Sequence, residues 1–362
     1  MHLRLHPTMQ LHLHPTWQEA LMADETTLTR WSLTTTPATR LAQHSTVPFS
    51  VFNERYTQDG RRAVLGGITR AFDDTLFAHQ LLVYVNYSKQ ERDLSGLEIR
   101  SWEDISLTRT LTLPQTEGWI ESLDASPDGR WLVLSPWLPE RIYLLDQHSG
   151  NVMSHHAHLD GSITGLTFDP TSTYVAGCSS HDGGGALVLW HLDLAEHFVP
   201  HPTVHPSRLQ GFPLDQINGS VALSLLHRNL DRTGIEWPEN QDLVDTAATS
   251  LFSPDGHIVV FTLISAYSPS YLDLTAYEVP SGRRLWCLRS DVKASGQAIF
   301  TPDGRLLMLP EQGGDLLVYD VADGSLSQRL HPRLDTPVRA LVFDHEERLW
   351  LATRDELVRY QP

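Results

Sequence analysis

The sequence has only two cysteines in 362 residues, Cys178 and Cys287. A secreted scaffold stapled by disulfides needs a denser set, so that class is excluded, and both thiols, each inside an apolar run, are expected to be buried, reduced and inert. Lysine is nearly missing too. Lys89 and Lys293 are the only two, and 27 basic against 44 acidic residues leave a formal net charge of -17. Affinity for phosphate backbones comes from clustered Lys and Arg, so nucleic acid is not expected as a partner. No apolar run approaches the roughly 18 residues of a membrane span, and the first thirty residues lack the continuous apolar core of a secretory signal. These absences lead to the expectation of a cytoplasmic protein with no membrane partner. No nucleophile elbow, phosphate-binding glycine loop, zinc-protease helix motif or calcium loop is present. The glycine-rich "HDGGGAL" from His181 has no helix after it and reads as a flexible turn. No cofactor is expected.

What the sequence does have is internal repetition. "ESLDASPDGRWLVLS" from Glu121, "ATSLFSPDGHIVVFT" from Ala248 and "GQAIFTPDGRLLMLP" from Gly296 share one plan: an apolar strand, a Pro-Asp-Gly turn and a second apolar strand. Proline presets a negative φ, Asp bonds its own backbone, and Gly takes the positive φ of a tight hairpin. Looser copies are "VFNERYTQDGRRAVLGG" from Val51 and "TGLTFDPTSTYVAGC" from Thr164. A third strand carrying an aromatic residue, a short turn and a fourth strand follow, as in "LTAYEVPSGRRLWCL" and "LLVYDVADGSLSQRL". Four short strands per unit of about 40 to 45 residues is the pattern of a β-propeller blade.

These units resemble WD-repeat propeller blades. The best match is "AHLDGSITGLTFDPTSTYVAGCSSHDGGGALVLWHLD", in which His158, Ser179 or Ser180, Asp182 and Trp190 fall where the family's His, Ser, Asp and Trp form a buried hydrogen-bonded network. The resemblance implies a structural role for that network. The match has departures: Ala157-His158 replaces Gly-His, Trp190-His191 replaces Trp-Asp, and two extra glycines lengthen the turn. In other units Trp31, Trp102, Tyr143, Tyr277, Tyr319 and Tyr360 stand near the tryptophan position. The resemblance covers nearly the whole chain and implies an all-β propeller acting as a rigid, non-enzymatic platform for a protein or peptide.

The count of units is seven: 9–43, 47–113, 117–157, 159–201, 245–290, 293–331, and 335–362 completed by 2–6. The last unit supplies three strands. Residues 9–33 align without a gap on 338–362, placing Leu349 on Ala20 and Tyr360 on Trp31, so Met9 already begins the first unit. The remaining "HLRLHP" matches the fourth strand of the preceding unit, because Arg4-Leu5-His6-Pro7 repeats as Arg329-Leu330-His331-Pro332. Residues 2–6 are therefore expected to close the ring as the outer strand of the last blade, which also removes an open strand edge. A six- or eight-bladed ring stays open as an alternative, since the second unit is long enough to hide a partial repeat.

Seven blades of about 42 residues leave a surplus. It is expected at 70–95, between the second and third strands of the second unit, and at 202–244, between the fourth and fifth units; "SAYSPSY" is a smaller bulge in the fifth. In an up-and-down blade the second-to-third connections and the inter-blade connections share one face, the top, so all three elaborations are expected there. Exposed Trp and Tyr are typical interface anchors, which makes Trp119, Trp137, Trp237, Tyr267 and Tyr271 the candidate contact residues. Two histidine clusters invite comparison with metal sites: His155, His156 and His158, and His191, His197, His201 and His205. Pro200, Pro202 and Pro206 oppose the helix that would align the second set, so no metal is expected. The alternative function is a propeller enzyme, or a small-ligand or metal binder, that uses the central channel.

Overall fold

The computed structural model describes residues 9–13, 18–24, 27–45, 61–72, 80–89, 92–101, 107–112, 120–128, 130–136, 141–146, 152–156, 162–181, 184–194, 221–228, 246–265, 272–290 and 292–360. Among them there are strands and turns and no helix. None of the described elements is a helix long and apolar enough to cross a membrane.

The strands form seven small antiparallel sheets, each paired in chain order. The first holds Met9–Leu13, Glu19–Asp24, Thr27–Ser32 and Thr39–Ser45 (β1 to β4). The second holds Arg61–Phe72, Gln80–Lys89, Arg92–Ser101 and Leu107–Thr112 (β5 to β8). The third holds Ile120–Ala125, Trp131–Pro136, Arg141–Asp146 and Val152–His156 (β9 to β12). The fourth holds Ser162–Phe168, Tyr174–His181, Gly184–Leu194 and Val221–Arg228 (β13 to β16). The fifth holds Thr246–Phe252, Ile258–Ser265, Leu272–Glu278 and Arg284–Ser290 (β17 to β20). The sixth holds Ile299–Phe300, Leu306–Pro310, Leu316–Asp320 and Leu326–Leu330 (β21 to β24). The seventh has three described strands, Ala340–Phe343, Leu349–Ala352 and Leu357–Arg359 (β25 to β27).

The order of burial explains the strand sequences. Second and third strands are covered on both faces and read as continuous apolar runs: Leu132, Val133 and Leu134 of β10 are fully buried, as are Leu316 and Leu317 of β23. The fourth strand β24 is exposed along nearly its whole length, and its sequence is mixed accordingly. First strands lie beside one another from sheet to sheet, β25 by β1, β1 by β5, β5 by β9, β9 by β13 and β13 by β17. Neighbouring sheets share apolar clusters. Trp131 and Val133 of the third pack on Phe168 and Trp190 of the fourth, and Trp350 and Ala352 of the seventh pack on Ala20, Trp31 and Leu33 of the first.

Both expected insertions contain strand. In the second sheet, β5 runs to Phe72 and β6 and β7 occupy 80–89 and 92–101, so most of 70–95 belongs to the ladder. The first described strand is β5, next to β1 and β9; the stretch from Val51 to Gly60 lies outside the described residues. "RRAVLGGITRAF" passes through register shifts at Leu65/Gly67 and Ile68/Ala71 and continues pairing beyond them. In the fourth sheet, the last strand is β16, inside the segment read as an insertion, and it pairs along β15 from Val188 to Leu194. The stretch expected to be that strand runs into Pro200, Pro202 and Pro206, which cannot donate to a ladder, whereas "VALSLLHR" can. The extra length is thereby redistributed. Residues 73–79, 195–220, 229–245 and 266–271, which include the rest of the expected elaborations, lie outside the described residues. Residues 1–8, including the expected closing strand, lie outside the described residues.

Candidate interaction surface

The first-to-second turns share a local chemistry. At the end where first strands turn into second strands, the Ser253 hydroxyl donates to Asp255 Oδ1 at 2.6 Å and accepts from the Ile258 amide at 3.0 Å, while Asp255 Oδ1 accepts from the His257 amide at 3.0 Å. Thr301, Asp303, Arg305 and Leu306 repeat these contacts at 2.6, 3.1 and 3.0 Å. In the third sheet the Trp131 amide donates to Ser126 Oγ at 2.8 Å and Arg130 N to Asp128 Oδ1 at 3.0 Å. The Ser253 hydroxyl is the main reason Asp255 sits below the usual carboxylate range, and the Thr301 hydroxyl does the same for Asp303. Sequence reading found the Pro-Asp-Gly but missed the hydroxyl before it, which ties the turn together.

In the fourth and seventh sheets, which lack Pro-Asp-Gly, an Asp replaces the hydroxyl. Asp169 accepts from the amides of Thr171, Thr173 and Tyr174. Asp344 accepts from the amides of Glu346 and Arg348, from Arg348 Nε at 2.7 Å and from Trp350 Nε1 at 2.8 Å. Burial alone would raise the Asp344 carboxyl, but these donors outweigh it and hold it below its ordinary value. The turns also touch each other. Asp128 N donates to Ser172 Oγ at 3.2 Å, and Gln18 Nε2 to Glu346 Oε1 at 2.9 Å. At this end the polar groups of the five turns are thus largely used within the protein.

The first strand of the fourth sheet is tied to the third by side chains. A register shift between Thr164 and Thr167, with Gly165 at φ +58, turns amides of β13 outward. Leu166 N donates to Ser122 Oγ at 2.9 Å and Phe168 N to Asp124 Oδ2 at 2.7 Å. Ser250 of the fifth sheet donates to Gly165 O from the other side.

The aromatic positions have a common geometry. Trp31, Trp190, Tyr277 and Tyr319 each follow a register shift between third and fourth strands. Each is buried and belongs to the cluster shared with the preceding sheet. Tyr360 packs likewise on the sixth sheet. Two assignments shift. In the second sheet the irregularity falls between Ile99 and Arg100, so Arg100 holds the position, and Trp102 lies outside the described residues. In the third, Leu145 opposite Leu132 holds it, with Tyr143 two residues earlier.

Of the expected network, Trp190 is 3% exposed in β15. The space for its indole depends on Gly177, where a Cβ would stand 3.1 Å from Trp190 Cζ3 and from Leu166 Cδ2. Ser179 lies in β14 opposite Ile163 and Ala186, and His158 and Asp182 lie outside the described residues. So do all five candidate contact residues, Trp119, Trp137, Trp237, Tyr267 and Tyr271. Trp119 immediately precedes β9 and Trp137 follows β10, while Tyr267 and Tyr271 fall between β18 and β19 and Trp237 between β16 and β17.

Among the described residues no group of three His, Cys, Asp or Glu is placed to hold a metal. His191 packs edge-on against Tyr174 with ring centroids 5.1 Å apart, and His197, His201 and His205 lie outside the described residues. Cys178 is buried as expected, but Cys287 is exposed, because β20 is an outer strand.

No curated protein matches the chain. Residues 143–184 match the family model of the WD domain, G-beta repeat. The match runs from Tyr143 in β11 to Gly184 at the start of β15, so it contains His158, Ser179 and Asp182 and stops short of Trp190. With that repeat inside a set of small four-stranded antiparallel sheets, the chain is WD-repeat-like.

Proposed function

We propose that the seven sheets are blades of one propeller, closed by residues 2–6 as the outer strand of the last blade, and that the protein is a non-enzymatic interaction scaffold in the cytoplasm. Its partner is a protein or peptide, bound on the face formed by the second-to-third and inter-blade connections. The carrying observation is the WD-repeat match at residues 143–184 within a set of small antiparallel sheets. The described first-to-second turns bond their own Ser, Thr and Asp side chains. Trp119, Trp137, Trp237, Tyr267 and Tyr271 all belong in sequence to connections at the other end, and large aromatics supply contact area at low entropic cost. The exclusion of nucleic acid rests on the net charge of -17.

The test is capture of partners from host extract with the tagged full chain. Alanine at Trp119, Trp137, Trp237, Tyr267 and Tyr271 together is expected to abolish capture, while His257→Ala with Arg305→Ala, on exposed turn residues of the opposite end, leaves it intact. Retention of every partner by the fivefold variant overturns the reading.

A further inference from the structure

The outer edge of β27 and an ion-pair cluster one sheet away bear on how the chain closes. On either side of β27, the Thr353 amide donates to Glu356 O at 2.9 Å and the Tyr360 amide to Leu349 O at 2.8 Å. Residues 356 and 360 therefore face β26, and by alternation Leu357 and Arg359 direct their backbone groups to the outer edge. In the sixth sheet that same edge carries β24, with Leu316 opposite Leu330 and Leu317 opposite Arg329. There Arg329 NH1 reaches Glu311 Oε2 at 2.7 Å and Asp315 Oδ2 at 3.1 Å, and His331 Nδ1 reaches Asp315 Oδ1 at 2.7 Å.

The two sheets correspond residue by residue. Leu316 and Leu357 both pack on the following sheet, and Leu317 and Val358 both pack on the preceding one. Glu311 N donates to Asp315 O at 2.8 Å as Thr353 N does to Glu356 O. Glu356 thus occupies the place of Asp315, one residue before the third strand. The residues that engage Asp315 come from Arg329-Leu330-His331-Pro332, and Arg4-Leu5-His6-Pro7 is the same tetrapeptide.

Building on the closure reading, we infer that the β27 edge is a docking site for residues 2–6, with Leu5 opposite Leu357, and that Arg4 and His6 fix its register by pairing with Glu356. A period-two strand can slip by one residue and turn its apolar set outward; a carboxylate met by an arginine and a histidine from alternate positions of the incoming strand favours one register. Leu357 O already accepts from the Ala38 amide at 2.9 Å. A carbonyl oxygen has two lone pairs, so the same atom can also receive the Leu5 amide.

Hydrogen exchange of the C-terminal peptide containing Leu357 and Arg359, measured in the full chain, tests this. Glu356→Arg is expected to speed its exchange roughly fivefold, the scale of an exposed ion-pair cluster, and Glu356→Arg combined with Arg4→Glu and His6→Glu to restore slow exchange. Recovery in the combined variant separates pairing from simple damage by the first substitution. Unchanged exchange on charge reversal, with faster exchange on removal of residues 2–7, overturns the pairing and leaves the closure standing. Unchanged exchange on that removal overturns both.

Discussion

The indole of Trp286 lies directly over Gly324, and its Nε1 donates to Val321 O at 2.7 Å, so an outer strand of the fifth sheet is pinned to a turn of the sixth. A Cβ at Gly324 would stand 2.7 Å from Trp286 Cδ2, and the residue has φ +74. Backbone strain and overpacking then add, and Gly324→Ala should cost about 2–4 kcal/mol. Gly314 separates the two effects, since it has φ +95 with nothing within 4 Å of the point a Cβ would occupy. Gly314→Ala should cost only about 1 kcal/mol. Urea denaturation midpoints of both variants check the difference, and equal losses would mean that the Trp286 contact contributes nothing.

Asp344 predicts an acid sensitivity. Its carboxyl is held below the usual value by Trp350, Arg348 and the Glu346 amide, against the opposing effect of burial. A carboxyl that is depressed in the folded chain and ordinary when unfolded contributes its full stability above the unfolded value, near 3.9. That contribution falls away as pH drops through the lower folded value. Asp344→Ala should therefore lose about 2–3 kcal/mol at neutral pH, the worth of hydrogen bonds to a charged group. Its stability should also change less than the parent's on acidification below about pH 4. Denaturation midpoints across that range give the comparison.

Much of this fold was legible because the signals were local. Pro-Asp-Gly between apolar runs located the first hairpins of the third, fifth and sixth sheets, since each of the three residues has its own conformational reason to be there. The ungapped alignment of 9–33 on 338–362 agrees with the packing: Ala20 and Leu349 both face the preceding sheet, as do Trp31 and Tyr360. What escaped was non-local. "HQLLVYVNYS" reads as an extension of a second strand and "SVALSLLH" as a further strand or a short helix, both inside expected insertions; only pairing along β5 and β15 gives them places in a ladder. The Asp344–Trp350 bond escaped for a different reason, since a shorter turn with no proline or glycine carries no turn signature. The candidate contact residues rest on sequence position alone.

That shorter turn stores strain that can be removed. Glu347 has φ +59, in the place where the fifth and sixth sheets have Gly256 at +75 and Gly304 at +71. A left-handed conformation costs a non-glycine residue roughly 1–2 kcal/mol, and glycine returns part of that gain as unfolded-state entropy. Glu347→Gly should stabilise by about 0.5–1 kcal/mol, read as a higher thermal midpoint; a lower one would show that the Glu side chain matters more than its backbone.

Trp31 and Trp286 make a pair of opposite outcomes. Both are buried, but Trp286 Nε1 has its acceptor in Val321 O, whereas among the described residues Trp31 Nε1 has none. An unpaired buried donor costs about 1–3 kcal/mol, and replacing it with an apolar group removes that penalty. Phenylalanine is smaller than tryptophan, so each substitution also loses some packing, about 1 kcal/mol or more. At Trp31 the two effects oppose, and Trp31→Phe should leave stability within about 1 kcal/mol of the parent. At Trp286 they add, because Val321 O loses its donor, and Trp286→Phe should cost about 2–3 kcal/mol. Equilibrium denaturation of the two variants decides it: a loss at Trp31 as large as that at Trp286 would mean that Trp31 Nε1 has an acceptor in a segment outside the described residues.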